Sequence, residues 1–287
     1  MTLKEIAARC GARSDAMMSL TPFICAEDGS EYAVWRVTAG GENYVLKRAK
    51  PCEAAIYRTY FKEPLPGVPR LLGECCDGGQ EYLLVEYVPG EDMTVLGRAE
   101  LTKALDALIA IQGKYWGAEL ECEKYSFAHT LERRRERGAY LCDTELQGAY
   151  EKFLACYESA PRTLCHDDLL PFNVRISDTG ATLIDWECAG ILPYPTSVAR
   201  LLAHCGEGDE PFRMSESDRE YAIRYYYEGL LRDRGISYAE FREALQLFFF
   251  YEYCEWIMLG NKYPHEADME RYEQYLKKAK AQLPNIK

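Results

Sequence analysis

The chain has 287 residues, 48% of them apolar, which is enough to fill the cores of two lobes. Its 34 basic and 46 acidic residues leave a formal charge of −12, which argues against nucleic acid as a partner because phosphate neutralisation needs a basic face. No apolar run approaches the roughly 20 residues that span a bilayer, and the start around Lys4, Glu5 and Arg9 lacks the apolar core and cleavage site of a signal peptide. A cytosolic protein is therefore expected. Its 12 cysteines contain no Cys-x-x-Cys pair and read as reduced, mostly structural thiols. The four histidines, His129, His166, His204 and His265, show no zinc spacing.

An N-terminal helix opens the chain. Residues 32–38 alternate as a strand, Ala39-Gly40-Gly41-Glu42 makes a hairpin turn, and residues 43–48 return as a second strand with Lys47 near its end. Glu53 then begins a segment with Ile56, Tyr57 and Tyr60 at helical spacing, which lets Glu53 reach back to the Lys47 ammonium. A buried lysine needs such a partner. Residues 81–88 read as a buried strand running into the turn at Pro89-Gly90. Helices are expected over residues 101–116, 144–157 and 217–232 from their apolar periodicity. The charged stretch at residues 131–137 alternates in sign and reads as a solvated helix surface.

The most informative segment runs from Leu164 to Val174 and is followed, after a short turn, by Leu183-Ile184-Asp185-Trp186. Pro171 and the apolar pair Leu169-Leu170 keep the loop from being helical. Residues 174–176 then form a short strand, Ser177-Asp178-Thr179-Gly180 a turn, and residues 181–186 a second strand. That hairpin lets Asn173 and Asp185 face one ion. Magnesium prefers oxygen and takes only one or two ligands from a protein, with phosphate and water supplying the rest. One carboxylate and one carboxamide suffice, and with Asp168 as candidate base the pattern is that of phosphoryl transfer.

The sequence His166-x-Asp168-x-x-x-x-Asn173, followed by Ile184-Asp185-Trp186-Glu187, resembles the aminoglycoside phosphotransferase and choline kinase superfamily. The resemblance implies an α+β, two-lobed protein-kinase-like fold. Residues 1–88 would form a small antiparallel-sheet nucleotide lobe ending in a hinge, and residues 89–287 a larger, mainly helical lobe. By the same resemblance His166 is a structural residue of the catalytic loop, and Asp168 orients or deprotonates the acceptor hydroxyl. Asn173 and Asp185 hold Mg²⁺. Lys47, oriented by Glu53, clamps the phosphates of ATP or GTP, while the backbone of Glu86, Tyr87 and Val88 meets the base. The acceptor is a hydroxyl of a small molecule. The acidic net charge favours a cationic one, such as an amino sugar, a choline-like molecule or another amino alcohol.

Several positions depart from that pattern. Residues 26–31, where phosphates would be cradled, hold one glycine and three carboxylates in place of a row of free amides. Asp167 and Phe172 stand where small residues are common, which requires ordinary backbone torsions there. Arg175 occupies the purine-floor position, its stem able to pack while its guanidinium leaves. Ser197 replaces an aspartate that anchors the catalytic loop, so other hydrogen bonds must support it. The acidic, glycine-poor loop and Ser197 motivate a second reading, a nucleotide-binding pseudoenzyme acting through a protein partner. A P-loop kinase is excluded, since Gly113-Lys114 is followed by Tyr115 and lacks the upstream glycine. The aromatic stripe Phe249, Tyr253 and Trp256 reads as core packing before it reads as a cation cage. Glu187 is expected close to the site, and oligomeric state is left open.

Overall fold

Period-two burial sets the architecture, because alternate residues in the stretches 42–48 and 80–86 face two different cores. The computed structural model describes residues 1–13, 17–25, 29–122, 125–208, 212–265 and 268–286. Helix α1 (Leu3–Arg9) is closed by a capping box between Thr2 and Glu5. Strands β1 (Ser19–Ile24), β2 (Glu31–Ala39), β3 (Glu42–Arg48), β4 (Leu71–Asp77) and β5 (Gln80–Glu86) form one antiparallel sheet in the order β1-β2-β3-β5-β4. Tyr44, Leu46, Tyr82 and Leu84 face α1 and pack with Ile6, Ala7 and Cys10. Gly73 on β4 permits that packing, since a Cβ there would meet the Cys10 carbonyl oxygen at 1.9 Å. Leu83 faces the other way, into the larger core with Ile56, Tyr57 and Tyr60 of α2 (Glu53–Tyr60). Lys47 pairs with Leu83 across the ladder and shares its face, which aims a charged side chain at the junction of the two halves.

The chain leaves β5 through Gly90 at φ +128°, where a Cβ would lie 2.3 Å from the Ile176 carbonyl oxygen. Only glycine fits that close approach. Beyond it come β6 (Glu91–Asp92), α3 (Arg98–Lys114), α4 (Phe127–Gly138) and α5 (Thr144–Ser159), the last capped by Asp143. Strand β7 (Arg162–His166) pairs antiparallel with β10 (Ala189–Pro193). Between them lies the hairpin of β8 (Val174–Ser177) and β9 (Gly180–Leu183), with β6 at its edge. Helices α6 (Pro195–Ala203), α7 (Glu216–Tyr226), α8 (Tyr238–Lys262) and α9 (Met269–Gln282) complete the helical half. Trp186, Phe153, Phe241 and Phe248 are among its largest fully buried side chains. The result is the α+β, protein-kinase-like arrangement expected from the sequence: an antiparallel sheet followed by a mainly helical part.

Two local expectations need correction. The second strand of the hairpin ends at Leu183 and does not run to Trp186. Asp185 adopts φ 64°, ψ 58°, the one positive φ outside glycine among the described residues, and Trp186 turns into the core to donate from Nε1 to the Leu183 oxygen at 2.7 Å. The helix expected to reach residue 232 stops being regular at Tyr226, continues as a π-turn over Tyr227–Leu231, and ends at Gly235 in the left-handed region. All twelve cysteines carry free thiols. Among the described residues no helix is long and apolar enough to cross a membrane.

Candidate active site

The loop after β7 is held both by its own backbone and by side chains. Leu170 N donates to the Asp168 oxygen at 2.8 Å, as does Asn173 Nδ2 at 2.8 Å, and Ile184 N donates to the Asn173 oxygen at 2.9 Å. His166 is fully buried, accepts from Asp168 N on Nδ1 at 3.3 Å, and lies 2.8 Å from the Ile184 oxygen on Nε2. Those partners fix the tautomer with the proton on Nε2. Burial pushes its pKa below the usual histidine value. Asp167 and Phe172 both have negative φ, so their side chains cost no backbone strain. Asp185 carries the strain in this segment, about 1–2 kcal/mol for a side-chain-bearing residue in the left-handed region. That turn aims its carboxylate back across the site.

Opposite the loop, the Lys47 ammonium reaches Glu53 at 2.8 Å, Asp185 in a direct hydrogen bond, and Glu187 at 3.5 Å. Glu53 is 2% exposed. Burial alone would lower the Lys47 pKa, but Glu53 and Asp185 together raise it above the ordinary lysine value. Burial likewise raises Glu53, against the opposing pull of Lys47. One cation faces three carboxylates, which leaves an excess of two negative charges around hard oxygen donors. That donor set suits a divalent cation of the magnesium type. Among the described residues no group of three or more His, Cys, Asp or Glu side chains is arranged to hold a metal by itself. A site built from Asn173 and Asp185 therefore needs substrate oxygens to complete it.

Asp168 is engaged by a residue that the sequence reading missed. Arg200 on α6 donates to Asp168 Oδ1 from Nη2 at 2.8 Å and from Nε at 3.2 Å. Its Nη1 donates to Glu252 at 2.8 Å and to Glu255 at 3.2 Å. Burial raises the Asp168 pKa, and Arg200 opposes that rise. Ser197, one helical turn before Arg200, accepts from His166 N at 2.9 Å. The loop support expected from elsewhere thus includes Ser197 itself.

The charged stretch at residues 131–137 is a correction. Arg134 is 1% exposed and donates to Asp167 Oδ1 at 2.5 Å, while Arg133 donates to Asp167 Oδ2 at 3.2 Å and to the Tyr125 hydroxyl at 2.9 Å. Alternating sign along the chain says nothing of which face turns inward, and the Asp167 carboxylate draws two of the arginines in. The aromatic stripe packs as core: Tyr253 is 6% exposed and Trp256 stacks on Tyr275 at 5.5 Å. Arg175 sends its guanidinium to Asp92 and the Gly90 oxygen. Glu86 at the end of β5 pairs with Arg70 at 3.0 Å and donates its amide to the Arg70 oxygen, Arg36 stacks over Tyr87 at 4.7 Å, and Val88 follows half-buried. Of the glycine-poor loop, residues 26–28 lie outside the described residues. Around them Cys25 N donates to the Ser30 oxygen at 2.8 Å.

A sheet that presents a paired lysine to a loop-and-hairpin in a helical half defines a protein-kinase-like phosphotransferase. Residues 25–229 match the phosphotransferase enzyme family, and the chain belongs to it. No curated protein sequence matches the chain significantly. Solved structures share the fold across nearly its whole length. An aminoglycoside phosphotransferase from Alicyclobacillus acidocaldarius is 15% identical with a TM-score of 0.65, covering 100% of this chain and 95% of that one. A choline kinase from Cryptosporidium parvum is 13% identical with a TM-score of 0.63, covering 99% and 96%. An ethanolamine kinase from Plasmodium vivax is 12% identical with a TM-score of 0.62, covering 98% and 86%.

Proposed function

We propose that this enzyme is an ATP- and Mg²⁺-dependent kinase that transfers the γ-phosphate to a hydroxyl of a small molecule. The observation that carries the reading is the Lys47 ammonium, bridged between Glu53 of the nucleotide-side helix and Asp185 of the catalytic hairpin. In this reading Lys47 binds the nucleotide phosphates and Glu53 orients it. Asn173 and Asp185 hold the metal, which supplies charge neutralisation for the phosphate oxygens. Asp168 receives the acceptor hydroxyl and takes its proton, and His166 keeps the loop in shape from beneath. The Glu86 amide is already donated within the fold, so Tyr87 and Val88 are the better placed to meet the base. The free thiols suit a reducing, cytosolic setting.

The net charge of −12 and the choline, ethanolamine and aminoglycoside substrates named for structural neighbours make cationic alcohols the first acceptors to test. Glu252 and Glu255 are already matched by Arg200 and Arg137, so the panel should also hold neutral and acidic alcohols. ADP release is measured with Mg·ATP or Mg·GTP against amino sugars, amino alcohols, nucleosides and hydroxy acids. The expected result is magnesium-dependent turnover of at least one acceptor that is lost in Asp168→Asn. Nucleotide stabilisation without transfer to any acceptor would favour a pseudoenzyme, and unchanged turnover in Asp168→Asn would remove that residue from the chemistry.

A further inference from the structure

Arg200 does more than neutralise Asp168. Both of its contacts, from Nη2 at 2.8 Å and Nε at 3.2 Å, fall on Oδ1, and among the described residues no hydrogen bond reaches Oδ2. The Asp168 side chain is 38% exposed, so the unbonded oxygen has room to meet an acceptor. Arg200 itself has little freedom. Its Nη1 is tied to Glu252, whose side chain is 4% exposed, and to Glu255, and His204 lies 3.3 Å away. His204 is in turn fixed by the Tyr275 hydroxyl at 2.8 Å. On α6, Ser197 and Arg200 stand on one face three residues apart. Ser197 holds the backbone of the loop and Arg200 holds its carboxylate.

We infer that Arg200 is a positioning residue for the transfer, one that fixes Oδ1 and thereby presents Oδ2 to the acceptor hydroxyl. The inference rests on the kinase reading above. In the step it serves, the acceptor oxygen forms a bond to the γ-phosphorus, the bond from that phosphorus to the β,γ-bridging oxygen breaks and ADP leaves, and the hydroxyl proton passes to Asp168 Oδ2. A planar guanidinium anchored along its far edge suits this, because it fixes the carboxylate's rotation as well as its charge. Sequence spacing gives no warning of the contact, which joins residues 32 apart and borrows Glu252 from a further 52 along.

The test compares wild type with Arg200→Met, Arg200→Lys and Glu252→Gln on an acceptor that the panel shows to be turned over. A carboxylate released from its clamp is expected to cost about 10²-fold in kcat in Arg200→Met, with the KM for Mg·ATP within about threefold. Lysine should restore part of that loss, since a single ammonium still reaches Oδ1. Glu252→Gln, which takes away a charged anchor of Arg200 without substituting Arg200 or Asp168, should let the clamp and the carboxylate shift, lose about tenfold and keep the test open if Arg200→Met does not fold. A kcat within threefold of wild type in the folded variants, a rise in rate, or equal losses of kcat and nucleotide affinity would overturn the assignment. A crystal structure of Arg200→Met, or of Glu252→Gln in its place, needs no acceptor. Asp168 should leave its wild-type rotamer, and an unmoved carboxylate would also overturn it. Failure of the kinase reading looks different, as a wild-type protein that neither binds Mg·ATP nor turns over any acceptor.

Discussion

Two charged clusters flank the loop after β7, and they are built on opposite principles. At the sheet side, Lys47 alone faces Glu53, Asp185 and Glu187. On the helical side, Asp167, Asp168, Glu252 and Glu255 are met by Arg133, Arg134, Arg137 and Arg200, four charges against four. The second cluster is balanced in charge within the protein and ties the loop to α4, α6 and α8. The first is two positive charges short, and in the proposed reading a divalent ion arriving with the nucleotide supplies the balance. In that reading the difference separates the part of the site that binds from the part that positions.

The largest effect should come from Asp168, the carboxylate that Arg200 of the helical cluster holds. Asp168→Asn is expected to lower kcat by about 10²–10⁴-fold, the usual worth of a positioned proton acceptor, with the affinity for Mg·ATP measured by calorimetry little changed. A loss of affinity equal to the loss of rate would merge the two roles that the comparison keeps apart.

Removing one partner of each buried pair sharpens the contrast. Asp167→Ala strands Arg134, which is 1% exposed. Urea denaturation should show a loss of about 3–5 kcal/mol, the cost of an uncompensated buried charge, and Mg²⁺ should not repair it. Lys47→Met leaves three carboxylates together and should also destabilise the fold, but there millimolar Mg²⁺ should recover part of the melting temperature. Equal responses of the two variants to magnesium would erase the distinction.

Smaller effects lie beneath the loop. Ser197→Ala leaves the buried His166 amide without its acceptor, and thermal unfolding should report a loss of about 1–3 kcal/mol. His166 itself gives a pH dependence. Its folded pKa lies below the unfolded value near 6.5, so below that value the unfolded chain binds the extra proton. Its contribution therefore costs stability as pH falls from about 6.5 toward the depressed folded value, and is absent above that window. A pH series of urea midpoints should show this slope reduced in His166→Gln.

What the sequence made legible was local. The Lys47 strand, the Glu53 helix and the hairpin between Asn173 and Asp185 each follow from a turn or a period within a dozen residues, and the motif that joins them is short. What it concealed depends on contacts between distant segments. Arg200 meets Asp168 only because β10 turns back along β7 and feeds α6 beneath the loop. Arg133 and Arg134 turn inward because α4 packs over Asp167, which the alternation of charge at residues 131–137 does not register. The left-handed turn at Asp185 was equally invisible, since nothing in Leu183-Ile184-Asp185-Trp186 announces where a strand must break.

The most direct measurement is a crystal structure with Mg²⁺ and a non-hydrolysable ATP analogue. The account predicts a metal bound by Asn173 and Asp185, the Lys47 ammonium moved from Asp185 onto the phosphates while still paired with Glu53, and Arg200 unmoved on Asp168. A nucleotide bound elsewhere, or a metal that touches neither Asn173 nor Asp185, would contradict it.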